Sequence, residues 1–226
     1  MAEAVSTGQL SVSSLRQQAH RRIRTSLVTG RISPGQIYSA QVVAAELGVS
    51  VTPVREAMLE LVNEGLLTPV RNRGYRVVEL TPQDMAEVYE LRELLEVAAL
   101  TKLAADPPVA QREHFLGLVR EMQRCADVGD VASFLEAERS FHLGLIELAG
   151  NRRLLNNVAK LRDQTRLFGI APLAREGGLR EAADQHGELL DAVLAGDALR
   201  TGQLMRDHYT RAVSPGQPVD EKATTG

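Results

Sequence analysis

The apolar positions change period twice along this chain. Leu15, Ala19, Ile23 and Leu27 recur at helical spacing behind a polar lead, and Ser13 or Ser14 stands where a helix cap is wanted. Gly30 stops that helix, and Pro34-Gly35 turns the chain. Ser39 is placed to cap a second, short helix through Leu47, with Val42, Val43, Ala45 and Leu47 available for burial. Gly48 breaks it, and Val49-Ser50 leads into a third helix that ends near Gly65. Pro53 lies in its first turn, where the amides have no intrahelical partner to lose. Val54, Ala57, Met58, Leu61 and Val62 form its apolar stripe, and Arg55, Glu56, Glu60 and Glu64 face away. The spacing then shortens. Leu66–Val70 and Tyr75–Val78 read as two strands joined by a turn at Arg71-Asn72-Arg73-Gly74.

After Leu80 the period returns to that of a helix. Pro82 ends the extended stretch and Thr81 can cap the next helix. Helical segments are expected at about 83–105, 109–128, 130–149, 151–168, 178–195 and 197–213, parted by Asp106-Pro107-Pro108, Gly129, Gly150, Ala171-Pro172 and Gly196. The pattern predicts a mainly α protein. A flexible lead (1–12) precedes a winged helix-turn-helix (13–80), an antiparallel bundle of about six helices (81–213) and a disordered tail (214–226).

Composition narrows this picture little. The 226 residues are 44% hydrophobic and 24% charged, with 4% aromatics and no Trp, so Leu, Val, Ile and Ala must fill the core. No run of apolar residues approaches a membrane span. The single cysteine, Cys125, and the absence of a secretion-type leader favour a cytoplasmic setting. Charge is more telling. The net figure of −3 argues against nucleic acid, but residues 1–80 hold nine Arg and no Lys against six Glu. A basic front therefore precedes an acidic back.

That front carries the residues a DNA reader needs. The first residues of a recognition helix meet base edges and phosphates in the major groove. Ser50 and Thr52 offer hydroxyls there, and Arg55 follows one turn on. Arg71 and Arg73 stand beside Gly74 at the hairpin tip, suited to phosphate or the minor groove. The sequences Ala44-Ala45-Glu46-Leu47-Gly48-Val49-Ser50, Thr52-Pro53-Val54-Arg55-Glu56-Ala57 and Glu64-Gly65-Leu66 resemble the DNA-binding domain of the GntR family, as do Gly30–Gly35 and Asn72-Arg73-Gly74. The resemblance covers about residues 14–79 and implies a homodimer reading a short palindrome in double-stranded DNA. It also marks Gln41 as a contact position. One departure stands out: the family usually has Arg where this chain has Val51, which can touch a thymine methyl but cannot donate to a base.

The back half holds a different chemistry. Glu138 and His142 share one helix face at i and i+4, and His186 and His208 lie on later helices. Three imidazoles and a carboxylate suit a divalent transition metal such as Zn, Ni, Mn or Fe. Spacing alone does not bring them together, since scattered histidines more often lie apart. His20 and His114 read as surface residues, His20 alternatively as DNA-facing. The segments Glu138–His142 with Ala149-Gly150-Asn151, Gln185-His186, Gly196-Asp197-Ala198 and Met205–His208 resemble the FadR-type C-terminal effector domain, FCD, of GntR regulators. In its metal-binding members the ligands are an Asp, a His after a three-residue gap, and two more His on later helices. The resemblance thus implies Glu138, His142, His186 and His208, with Glu138 in place of the Asp. It also implies a small carboxylate effector beside the metal, with Arg92 as a pocket arginine. The plain alternative for Arg92 is surface pairing with Glu96.

The expected function is a ligand-responsive DNA-binding regulator, a repressor before an activator, and not an enzyme. Two alternatives accompany it. One is a metal-free FCD regulator taking a larger, acyl-type ligand. The other is a metal-dependent hydrolase, which the absence of HExxH and Gly-x-Ser-x-Gly motifs disfavours.

Overall fold

The computed structural model describes residues 14–28, 30–166 and 178–213. The lead 1–12, the tail 214–226, Ala171-Pro172 and the end of the predicted 151–168 segment lie outside the described residues. The described chain divides into two compact units, one running to Val78 and one from Glu79 onward.

In the first unit Ser14 opens α1 (Leu15–Val28): its Oγ accepts from Gln17 N at 3.3 Å while Gln17 Oε1 accepts from Ser14 N at 3.0 Å. Ala19, Ile23 and Leu27 are buried as their spacing predicts, but Leu15, in the terminal turn, is exposed. Strand β1 (Ile37–Tyr38) runs into Ser39, whose Oγ accepts from Val42 N at 3.2 Å and caps α2 (Ala40–Leu47). Helix α2 buries Ala40, Val43 and Ala44, whereas Val42 and Ala45 point outward. The buried face of α2 is therefore rotated from the expected one, because its short run of small apolar residues defines no stripe. Gly48 closes α2 in the left-handed conformation at φ 67°. Helix α3 (Val51–Asn63) follows, with Val54, Ala57, Met58 and Leu61 buried as expected.

Strands β2 (Leu67–Val70) and β3 (Gly74–Val77) form the hairpin, and β1 adds to the far side of β3. The antiparallel order is β1-β3-β2, with Ile37 opposite Arg76 and Tyr38 opposite Tyr75. Two residues carry no alternation, which is why β1 has no signature in the sequence. Gly74 was expected in the turn beside the duplex, but it is the first residue of β3 and pairs with Val70. Its φ is 123°, and a Cβ there would overlap the carbonyl oxygen of Tyr38 and lie 2.9 Å from Ser39 Cα. Glycine is required at this point by the sheet itself.

The second unit is all helical. Thr81 caps α4 (Pro82–Ala104) in a capping box with Asp84, and Pro82 takes the first helical position. After a 3-10 turn at Val109–Gln111 come α5 (Arg112–Val128) and α6 (Val131–Leu148), the latter capped by Asp130. Helix α7 (Arg152–Arg166) starts at Asn151, whose side chain accepts from the amides of Arg153 and Leu154, both at 3.1 Å. Helices α8 (Leu179–Leu194) and α9 (Ala198–Val213) complete the described bundle. Helix α4 packs on α9 and α7, and α5 packs on α6 and α8. Phe115, Met122, Phe134, Phe141, Leu145, Leu190 and Met205 lie in its apolar core. Among the described residues no helix is long and apolar enough to cross a membrane.

Replacing Gly74 by Ala combines an overlap with a strained φ, so it should destabilise the first unit by about 1–3 kcal/mol or more. Differential scanning calorimetry should show that unit's transition lowered and the helical unit's unchanged. An unaltered first transition would contradict the close approach of Tyr38.

Candidate DNA interface and metal centre

The first unit presents its candidate DNA contacts at the start of α3. Ser50 is the N-cap residue by backbone geometry (φ −68°, ψ 158°), yet its side chain makes no capping hydrogen bond. Ser39 one helix earlier spends its hydroxyl on such a bond. Ser50, Thr52 and Arg55 are exposed, Val51 is half-buried, and Gln41 is exposed on α2. Arg71 and Arg73 are exposed at the hairpin tip, with Asn72 between them at φ 58°. Arg73 N donates to Val70 O at 3.0 Å, so the turn itself spans Arg71–Arg73 and excludes Gly74.

Two acidic residues at the C-terminal end of α3, Glu60 and the C-cap Glu64, are tied to α1. Arg16 pairs with Glu60 at 2.5 Å and His20 Nε2 meets Glu64 at 2.8 Å. His20 is therefore not a plain surface residue: it joins α1 to the end of α3 and is half-buried. Both pairs lie at the C-terminal end of α3, and the exposed Ser50 and Thr52 stand at its N-terminal turn, where the helix dipole favours anions such as phosphate.

The second unit brings Glu138, His142, His186 and His208 together. One ligand atom from each lies within 4.8 Å of the others. Glu138 and His142 sit one turn apart on α6, and His186 on α8 and His208 on α9 face them. The Nε2 atoms of His142 and His186 are 2.9 Å apart, and Glu138 Oε1 is 3.6 Å from His142 Nε2. Ring centroids of the three histidines are 4.9, 5.1 and 5.3 Å apart. Phe141 borders two of the rings edge-on.

The donor chemistry suits a divalent metal. Burial first, and the neighbouring Arg162 next, hold His142 well below the ordinary imidazole range. His208 is held low by burial first and then by His186 and Arg162. His186 is lowered by burial, against opposing pulls from Glu138 and the Ala182 carbonyl. Neutral imidazoles are what a metal needs. His186 Nδ1 donates to Ala182 O at 2.6 Å, which leaves the Nε2 lone pair facing the cluster. His142 Nδ1 is buried with no hydrogen-bond partner. Nε2 ligation would leave this nitrogen carrying the proton, 3.8 Å from the Glu96 carboxylate.

Behind the cluster lies a buried ionic network that sequence reasoning largely missed. Arg162 on α7 donates from Nη1 to Glu138 Oε1 at 2.5 Å and from Nε to Glu96 Oε2 at 2.9 Å, with Nη2 also on Glu96. Arg92 donates from Nε to Glu96 Oε1 at 3.1 Å and from Nη1 to Thr165 Oγ1 at 2.8 Å. Its guanidinium carbon lies 5.4 and 5.3 Å from the ring centroids of Tyr89 and Tyr209. Burial, then the nearby Glu96, pushes the Tyr209 hydroxyl far above the usual phenol range. The expected Arg92–Glu96 pair exists, but it is buried and not on the surface. The available signal for Arg162 was its place in the stripe Leu155, Val158, Arg162 and Thr165, where an apolar residue is expected.

Comparison with known proteins agrees with both halves. Residues 15–77 match the profile described as bacterial regulatory proteins, gntR family, and residues 87–211 match the FCD domain. An uncharacterized HTH-type transcriptional regulator from Streptomyces ambofaciens is 32% identical over 88% of this chain and 83% of that protein. The HTH-type transcriptional repressor GlaR of Escherichia coli is 26% identical over 92% of this chain and 96% of its own length. The solved structure of Escherichia coli McbR/YncC shares the fold, with a TM-score of 0.77 at 23% identity, covering 89% of this chain and 96% of that one. These relatives are transcriptional regulators and not enzymes. The chain thus belongs to the GntR family of DNA-binding transcriptional regulators and carries an FCD domain.

Proposed function

We propose that the chain is a metal- and acid-responsive repressor. As a homodimer it reads a short palindromic operator through Ser50, Val51, Thr52 and Arg55, with Gln41 in support. Arg71 and Arg73, set by Gly74, engage the backbone or minor groove. Half-sites one helical turn apart, about 34 Å, suit such a dimer. Val51 gives an apolar contact where the family's usual arginine would donate, so the preferred operator differs at that base.

The convergence of Glu138, His142, His186 and His208 carries the metal part of this reading. These four residues would hold the ion, with Zn, Ni, Mn and Fe all compatible with the donor set. When bound, the ion supplies positive charge that offsets the desolvation of a small carboxylate effector. The chain's own residues prepare the site: burial keeps the imidazoles neutral, Ala182 fixes the His186 tautomer, and Arg162 aims Glu138. Effector binding then shifts the dimer between states of different operator affinity. The metal-free, acyl-binding alternative predicts no stoichiometric metal, and the gathering of four donor atoms within 4.8 Å of one another weighs against it.

Two measurements test the parts separately. Arg55→Ala should weaken a gel shift on the DNA upstream of the gene by tenfold or more, about 1–3 kcal/mol, with the melting curve unchanged. A retained shift would displace the recognition helix from the start of α3. Elemental analysis should find one divalent metal per chain in the purified protein. His142→Ala and His208→Ala should each lose it while helical content is kept. Absence of metal from the parent chain removes the metal reading and leaves the DNA reading standing.

A further inference from the structure

Helix α4 has two faces of different character. One carries Tyr89, Arg92, Glu96 and Leu100 into the interior. The opposite one is apolar and uncovered: Leu91 is 49% and Leu94 64% exposed, and Ala98 continues the line one turn on. Helix α7 runs beside it, and between the two lies an open groove of about 360 Å³. Leu91 and Leu95 form one wall, Leu154 and Leu161 the other. Leu95 and Leu154 also pack on the core, so the groove is continuous with it. An exposed apolar patch with a polar rim marks an interaction site. This one has a set width, because Arg92 and Arg162 meet on Glu96 from behind and tie α4 to α7.

The rim decides the occupant. Helices α4 and α7 run antiparallel: Arg92 reaches Thr165, while Glu96, further along α4, meets Arg162, further back on α7. Glu87 and Glu90, one turn before Leu91 and Leu94, therefore stand at one end of the face. Arg153, one turn before the groove residue Asn157, stands at the other. Lys160 lines the groove between them. Glu87, Glu90, Arg153 and Lys160 are all exposed. Glu90, Arg153 and Lys160 enter no ion pair among the described residues. The face is thus acidic at one end, apolar in the middle and basic toward the other end. Turned about a two-fold axis through its centre, it meets itself with acid over base and leucine over leucine. A partner carrying a single sign of charge would be repelled at one end.

We infer that a second copy of this chain docks on the α4–α7 face, in a two-fold interface centred on Leu94. The acidic end of one protomer lies against the basic end of its partner, and the leucines close the groove between them. This rests on the homodimer reading above and is independent of the metal reading.

Sedimentation equilibrium on the full chain tests this. The parent chain should sediment at twice the 24.6 kDa of one protomer. Leu94→Glu puts a charge at the centre of the interface, doubled by the symmetry, and should weaken the dimer by roughly a hundredfold or more. Its helical content by circular dichroism should be unchanged, because Leu94 is exposed in the single chain. Leu199→Glu, at an exposed leucine of α9 outside the groove, should leave association as it was. Reversing the acidic end (Glu87→Lys with Glu90→Lys) or the basic end (Arg153→Glu with Lys160→Glu) should each weaken the dimer by roughly tenfold. All four changes together should restore it. A dimer untouched by Leu94→Glu overturns the inference and leaves the homodimer reading standing. A monomeric parent chain overturns both. Failure of the fourfold exchange to recover association overturns the pairing of acidic end with basic end, and that exchange decides the matter if Leu94→Glu does not fold.

Discussion

The helical unit depends on one guanidinium. Arg162 reaches from α7 to Glu96 on α4 and Glu138 on α6, and almost none of it is exposed. A buried ion pair stabilises little against an apolar replacement of equal shape, because desolvating the charges offsets most of the attraction. Removing one partner is another matter, and costs about 3–5 kcal/mol. What such a group contributes is registry: three helices satisfy Arg162 in one relative arrangement, and a shift of one turn breaks its contacts with both carboxylates. The face of α6 that carries His142 is set by the same constraint. The binding chemistry and the packing of the bundle therefore share a single anchor.

The two units use charge in opposite ways. In the first, arginines at the start of α3 and the hairpin tip stay exposed, and the acids further along α3 are engaged by Arg16 and His20. Solvated charge of this kind acts at a distance and weakens with salt, as is wanted for finding DNA. In the second, charge is enclosed and matched within a few ångströms. There it acts only on what enters the cluster.

Much of this was legible in the sequence where local rules dominate. Ser39, Thr81, Gly48 and Gly129 mark helix ends because caps are short-range chemistry, and the structure keeps all four. The stripe of α3 was readable because Val54, Ala57, Met58 and Leu61 differ sharply from their neighbours. The face of α2 was not, since Val42, Val43, Ala44 and Ala45 offer no such contrast. Glu138 and His142 declared a shared face by spacing, but bringing His186 and His208 to them is a tertiary fact, and only family resemblance anticipated it. Arg162 was invisible for a related reason. A charged residue inside an apolar stripe looks like the edge of the stripe until its partners on other helices are known. Arg92 shows the converse limit: the i,i+4 pairing with Glu96 was correct, but spacing says nothing about burial.

The two-residue strand β1 has a mechanical consequence. Tyr38 pairs with Tyr75 in the hairpin, and the next residue, Ser39, caps α2. The hairpin and the helix-turn-helix are thus riveted at adjacent residues and cannot swing independently. The start of α3 and the hairpin tip, the two candidate contact surfaces, are thereby held in one arrangement that is fixed at folding. A hairpin ordered before contact has less conformational freedom to lose when a ligand is met.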